Sequence, residues 1–332
     1  MAATLHDVAK LAGVSIKTVS NVVNDYPHVR PQTRERVEAA IAELSYVPNT
    51  TARNLRSGRT GAIALAIPDL SLSYFAELAA AVIAAAERAG VAVLVEQTGG
   101  TRERELELLR SPSLKMTDGL LFSPLEMGQD DVAQLRVPYP MVLLGERIFD
   151  GPVDHVTMRN VEAARAATEY LLGTGRRRIA LIGAHDGEVI GSAGLRLRGY
   201  REALEAAGVE YDEALIGPSG PWHRINGVQA MRELLDRGVE FDAVFGMNDT
   251  LAFGALRALQ EAGRSVPDDV AVIGFDNVDE GQYSLPSLTT IDPGREWIAE
   301  RAVAALLERV GGADAPPRLM TAEYRVLPRE SA

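Results

Sequence analysis

The chain has 332 residues, enough for two or three domains around sizeable cores, and its 46% hydrophobic and 5% aromatic content suits an Ala/Leu/Val-rich α/β protein. Cysteine is absent, which excludes disulfides, thiolate metal ligands and thiol nucleophiles together and fits a reducing cytoplasm. The net charge of −12 argues against nucleic acid only as a sum: residues 1–60 hold eight Lys/Arg against five Asp/Glu, and the remainder holds 26 against 41, so a basic head precedes an acidic body.

The opening MAATLHDVAKLAGVS lacks a basic start followed by an apolar run, and no stretch reaches the roughly 18 apolar residues of a membrane span. A cytoplasmic protein with no membrane partner is expected. Three short helices are predicted in the head. Thr4 and Asp7 form an N-cap pair, Val8, Leu11 and Ala12 make an apolar face, and Gly13 ends the first helix. Ser15 caps a second, Ile16 to Val23. Pro31 opens a third, with Val37, Ala40, Ile41 and Leu44 at helical spacing. Asn49 then caps a segment from Thr50 to Ser57, too short to be stable alone in water and expected to order only when held.

From Gly61 short apolar runs alternate with helical stretches: Ala62–Ile67, Val91–Val95, Gly119–Phe122, Met141–Leu144, Ile179–Ile182, Ala243–Gly246 and Val270–Gly274. This alternation predicts an α/β body of doubly wound parallel sheets in two half-units, with a ligand crevice beyond the carboxyl ends of the strands. A final strand-like run spans Leu319–Val326, and Gly311–Pro317 reads as a surface loop.

Thr4 to Asn24 has helix-turn-helix form: two short amphipathic helices, a glycine in the turn, and a polar start to the second helix. Such a helix fits the major groove, with Lys17 reaching guanine O6/N7 and Asn21 an adenine edge. An ordinary helix corner with solvated polar residues has the same geometry. The wording decides between them. Asp7 to Ser15 (DVAKLAGVS), Thr18-Val-Ser20, Asn24, RPQTRERV and Tyr46-Val-Pro-Asn-Thr-Thr-Ala-Arg-Asn-Leu55 closely resemble the head of the lactose/galactose repressor (LacI/GalR) family, and the likeness extends over nearly the whole chain.

By that resemblance, Ile16, Lys17 and Asn21 choose the operator sequence, while Thr4, Ser15, Thr18, Ser20, Asn24 and Thr33 mostly hold phosphates. Leu5, His28, Tyr46, Asn49 and Ala52 complete the DNA-facing set, and Leu55 is a minor-groove wedge at the operator centre. Where the family often has arginine, this chain has Asn21. The resemblance also implies a periplasmic-binding-protein-like body. Residues 1–46 would form the head and 47–60 the hinge helix and linker; one lobe would take 61–160 with 292–321, the other 161–291 with 322–332.

The family's cleft landmarks select nine residues. Leu72, Tyr74 and Phe75 come from Pro68–Phe75, where the usual Asn-Pro is Leu72-Ser73, a more apolar contact. Ser192 and Arg196 come from SAGLRLRGY, with Arg198 a solvated charge. Asn248 and Asp276 stand at strand-to-helix corners, Asp249 beside the first; Trp222 can stack on a sugar face. Glu146 in LLGER completes the set. Other roles stay open for three of them: Asn248 as a helix cap, Trp222 as loop packing, Glu146 as part of a surface turn.

A free sugar-binding protein would share the body but not the head. An enzyme is not expected, because no Gly-x-Ser-x-Gly, Walker-type loop or His-Glu-x-x-His is present, and no cofactor or metal is expected, since the five histidines lack ligand spacing. The expected partners are operator DNA, a small effector that is a mono- or oligosaccharide in preference to a purine corepressor, and a second copy of the chain. No heptad segment follows the last strand-like run, which favours a dimer over a tetramer.

Overall fold

The computed structural model describes residues 3–23, 25–46 and 59–332. Asn24, Asn49, Ala52, Leu55 and the expected hinge helix lie outside the described residues. The chain divides into two compact units, residues 1–61 and 62–332.

The first unit holds α1 (Leu5–Ala12), α2 (Ile16–Val23) and α3 (Pro31–Glu43). Local chemistry sets their ends. The Asp7 amide donates to Thr4 Oγ1 at 3.3 Å and the Thr4 amide donates back to Asp7 Oδ2 at 2.9 Å, a full capping box. Gly13, at φ 62°, takes the left-handed turn that a side chain would resist, and Ser15 Oγ accepts from the Thr18 amide at 3.1 Å. Val8, Val19 and Val37 meet in the core between the three helices.

Leu11 corrects the sequence reading: it is 45% exposed, and Ala9 is buried in its place. The inward stripe of α1 runs through residues 5, 8, 9 and 12, and position 11 falls about a third of a turn from its centre.

The second unit is built on two parallel sheets. The first has the order β11-β5-β4-β3-β1-β2, from β1 (Ala62–Ile67), β2 (Ala92–Gln97), β3 (Leu120–Phe122), β4 (Met141–Leu144), β5 (Asp154–Met158) and β11 (Leu319–Ala322). Strand alternation gives β1 two unlike faces. Ile63, Leu65 and Ile67 pack under α4 (Ser73–Arg88) and α10 (Arg295–Val310), and Ala64 and Ala66 turn toward Leu108 of α5 (Arg102–Leu108).

The second sheet runs β7-β6-β8-β9, from β6 (Ile179–Ala184), β7 (Ile216–Pro218), β8 (Ala243–Gly246) and β9 (Ala271–Ile273). It is covered by α6 (Asn160–Gly173), α7 (Ser192–Ala206), α8 (Arg224–Asp236) and α9 (Asp249–Glu261). Gly227 and Gly254 let α8 and α9 touch backbone to backbone: a Cβ at either would come within 2.3 Å of a carbonyl oxygen on the facing helix. An antiparallel ribbon of β10 (Thr290–Asp292) and β12 (Arg325–Leu327) completes this unit.

The chain passes between the two halves after β5, before α10 and between β11 and β12. The run Leu319–Val326, expected as one strand, is therefore two. Its first part pairs with β5 in the first sheet and its last part with β10 at the second. Strands β5, β7 and β10 carried no apolar run. Asp154, His155 and Thr157 interrupt β5, and β7 and β10 are only three residues long.

Candidate ligand cleft and nucleic-acid interface

A cavity of about 550 Å³ opens where the carboxyl ends of both sheets face each other. Its walls come from the segments that follow the strands: Asp69 after β1, Ser123 after β3, Glu146 after β4, His185 after β6, Trp222 after β7 and Asp276 after β9. Strand ends are the natural place for a ligand in this fold, because the loops there can vary without disturbing the sheets. Leu72, Tyr74, Phe75, Glu146, Ser192, Arg196, Trp222, Asn248 and Asp276, all chosen from sequence, line this one cavity.

Arg196 is 2% exposed, yet its charge is well held. Nε donates to Asn160 Oδ1 at 2.8 Å, Nη1 donates to the Met247 carbonyl, and Asp276 Oδ1 lies 3.8 Å from Nη2. The guanidinium also stacks 3.6 Å from the centroid of the Phe275 ring. Asp276 adopts φ 121°, strained for a non-glycine residue, and its backbone is pinned there: the amide donates to the Ile291 carbonyl at 2.9 Å and its carbonyl accepts from Arg295 at 3.0 Å. Burial pushes its carboxyl up to about 8, and the Asp249 charge adds to burial against the opposing pull of Arg196.

The open alternatives resolve differently. Asn248 is indeed the N-cap of α9, with Oδ1 accepting from the Leu251 amide at 2.7 Å, and it lines the cavity as well. Trp222 anchors its loop by donating Nε1–H to the Gly183 carbonyl at 2.9 Å, and its ring still contributes to the cavity wall. Glu146 is not on a surface turn: it is buried and accepts a hydrogen bond from Ser192 Oγ of the facing half. Asp249 does not reach the cavity. It is buried behind the site, accepting from Thr290 Oγ1 at 2.5 Å and from the Val278 amide at 2.9 Å, so it braces the loop that carries Asp276. Arg198 is exposed, as expected of a surface charge.

Sequence reasoning missed a cluster at the rim. Glu188 Oε2 accepts from His185 Nδ1 at 2.9 Å and stands 3.3 Å from Arg147 of the opposite half, and Glu188 Oε1 caps the start of α7 through the Ala193 amide at 3.1 Å. The bond to Glu188 raises the His185 pKa. Burial alone would raise Glu188 too, but His185 and Arg147 overcome it and hold the carboxyl below its usual range. Polar residues in the loop after a strand were the available signal, but nothing local marks which of them turn inward.

In the head, Ile16 and Lys17 project into solvent at the start of α2, with Ser15 and His28 also exposed. Thr18, Ser20, Asn21 and Thr33 are half-buried, and Thr4 stands exposed at its cap. Leu5 packs against the head core, half-buried. Tyr46 departs from the expected DNA-facing set. Only 7% of it is exposed, and it closes the core that Val8, Val19 and Val37 form, so its ring is used in packing.

Residues 4–49 match the bacterial regulatory proteins of the lacI family, and residues 168–332 match the periplasmic binding protein-like domain. The HTH-type transcriptional regulator CelR of Thermobifida fusca is 38% identical over 99% of this chain and 98% of its own length. The chain belongs to the lacI family of bacterial transcriptional regulators. This lacI-family regulator is also 34% identical to the ribose operon repressor of Escherichia coli K12, over 93% of each chain, and 30% identical to the repressor PurR of Vibrio atlanticus, over 99% of this chain and 98% of that one.

Among solved structures, a putative LacI-family transcriptional regulator from Sanguibacter keddieii is 55% identical with a TM-score of 0.77, covering 82% of this chain and 98% of that one. The lac repressor dimer bound to operator and the anti-inducer ONPF gives a TM-score of 0.82 at 29% identity, over 100% of this regulator and 99% of that chain. A CelR–cellobiose complex gives 0.74 at 34% identity, over 99% and 100%. These relatives are regulators of transcription. No helix among the described residues of this regulator is long and apolar enough to cross a membrane.

Proposed function

We propose that the chain represses transcription as a homodimer on a pseudo-palindromic operator and that a sugar in the cleft releases it. The observation that carries the effector half is the composition of one wall: Arg196, Asn248 and Asp276 offer donors and acceptors beside the Trp222 ring. Hydroxyl-rich rings need this pairing of directional polar groups with an aromatic face. The cavity of about 550 Å³ has room for more than one sugar ring. The CelR relative solved with cellobiose supports the same class.

On DNA, α2 enters the major groove, with Lys17 on a guanine and Asn21 on an adenine, and Thr4, Ser15, Thr18, Ser20, Asn24 and Thr33 hold phosphates. His28 and, from the sequence beyond α3, Asn49 and Ala52 join the backbone contacts, and Leu55 wedges the minor groove. A two-lobed body divided at 160, 291 and 321 transmits the signal. Contacts that now bridge the cleft would have to break for the lobes to rearrange: Arg147 to Glu188, Ser73 Oγ to Glu280 at 2.8 Å, and the Asp279 amide to Glu77 at 2.9 Å. A ligand shifts that balance only by its differential affinity for the two arrangements.

The test is selection of an operator from randomised duplexes, followed by titration with sugars and purines at fixed salt. A two-fold-related site released by one sugar is expected. A site tightened by a purine would reverse the logic, and recovery of no site would remove the DNA reading.

A further inference from the structure

We propose that the cleft rejects anions, so that its effector is an uncharged sugar and not a sugar phosphate or sugar acid, and that Glu146 sets this discrimination; the inference rests on the sugar reading of the cleft. The charges lining the cavity are unequal. Asp69, Glu126, Glu146, Glu188 and Asp276 set five carboxyl groups against the two guanidinium groups of Arg147 and Arg196. Asp276, pushed up to about 8 by burial, is mostly protonated at neutral pH, and four carboxylates still face two arginines.

Each cation in the wall already stands beside an acid. Arg147 lies 3.3 Å from Glu188, which also accepts from His185, and His223 is near enough to Asp69 to lower its pKa. Arg196 spends Nε on Asn160 and Nη1 on the Met247 carbonyl, its face lies on the Phe275 ring, and Nη2 stands 3.6 Å from Met158 Sδ and 3.8 Å from Asp276. One edge of Nη2 suffices for a hydroxyl. A carboxylate or phosphate is gripped by two parallel N–H donors, and both of these arginines are engaged by the protein.

Glu146 is the carboxylate left over. It is 6% exposed, it accepts from Ser192 Oγ through one oxygen, and among the described residues it forms no ion pair and its other oxygen meets no donor. His155 is close enough to feel its charge, but burial holds that ring below its ordinary pKa, so it adds no cation. Asp276 is 5% exposed, and no donor among the described residues reaches its carboxyl oxygens within hydrogen-bond distance. The wall therefore asks for donors, which sugar hydroxyls supply and anionic groups lack. Like charges about 6 Å apart at an effective dielectric of about 20 repel enough to weaken binding roughly a hundredfold. The reaction that supplies such an effector releases a free sugar, as glycoside hydrolysis does, and phosphorylation or oxidation of that sugar ends the signal.

The full chain on its selected operator is titrated with glucose, galactose, ribose, xylose and cellobiose, and with glucose 6-phosphate, glucuronate, galacturonate and gluconate. Release by an uncharged sugar is expected. That sugar is then compared by calorimetry as its uronate and its uronamide, which have nearly the same shape and differ in charge. The uronate is expected to bind roughly a hundredfold more weakly than the uronamide. Glu146→Gln, which keeps an acceptor for Ser192 and removes the charge, is expected to narrow that ratio by at least about tenfold, with operator binding reporting that the variant is folded. Release by a sugar phosphate or acid overturns the proposal and leaves the sugar reading standing, as does a uronate bound as well as its uronamide. An unchanged ratio in Glu146→Gln overturns the role of Glu146. Release by none of these ligands overturns the sugar reading itself and this inference with it.

Discussion

Arg196 is fixed in the cleft by a planar fork that serves several acceptors at once, the Asn160 amide oxygen and the Met247 carbonyl among them, with Asp276 nearby. A lysine would keep the charge but could not hold Asn160 and Met247 while facing a ligand. Arg196→Lys is therefore expected to lower effector affinity by about tenfold, the worth of one charge-assisted hydrogen bond, as read by calorimetric titration. Operator affinity without effector should be preserved, and an equal loss of both would move Arg196 from ligand binding to general packing. The neighbouring Asp276 and Asp249 show why residue type alone is a poor guide. Two aspartates at similar strand-to-helix corners face opposite ways, one into the cavity and one into a Thr290–Val278 bracket.

At the scale of elements, the cleft depends on supports outside it. Glu105 on α5 is fully buried, and its carboxylate accepts from the backbone amides of Leu125 at 2.7 Å and Met127 at 2.6 Å, with Glu126 at 3.2 Å. Burial raises its pKa, and the three amides work against that rise. Leu125 and Glu126 line the cavity, so this carboxylate sets the shape of one wall. Glu105→Ala leaves those donors unsatisfied and is expected to cost about 1–3 kcal/mol of stability for each one that water cannot reach. Chemical denaturation measures this loss, and weaker effector binding with unchanged operator recognition in the same variant would show that the loop shapes the cleft specifically.

At the scale of the whole molecule, buried carboxylates make stability depend on pH in two directions. Asp276 is pushed up to about 8 and Asp249 to about 6, both mainly by burial, from an ordinary aspartate value of 3.8. Their contribution is full below about pH 3.8 and is lost as the pH rises, through about 6 for Asp249 and about 8 for Asp276. Asp154 acts oppositely. Burial alone would raise it, but hydrogen bonds from Arg309 and Arg318 hold it far below the usual carboxylate range, so its contribution is present above the unfolded pKa and lost in acid. Between pH 6 and 8 the Asp276 contribution should dominate this balance. Asp276→Asn is expected to flatten the decline of the urea midpoint across that window, and an unchanged slope would show that Asp276 is ionised throughout.

The sequence by itself determined the local features, the Thr4–Asp7 capping box, the Gly13 turn, the Ser15 cap and the parallel-sheet body, and its family motifs pointed to nine residues that line one cavity. Each follows from short-range chemistry or from a motif written in consecutive residues. Only the tertiary structure decided what depends on packing at a distance. It separated β11 from β12, because two strands three residues apart in sequence serve different sheets. It turned Tyr46 into the head core, buried Glu146 against Ser192 from 46 residues away, and built the His185–Glu188–Arg147 rim from both halves. Burial and long-range pairing are properties of the assembled fold, and a polar residue in a loop carries the same local signal whether it faces water or a cleft.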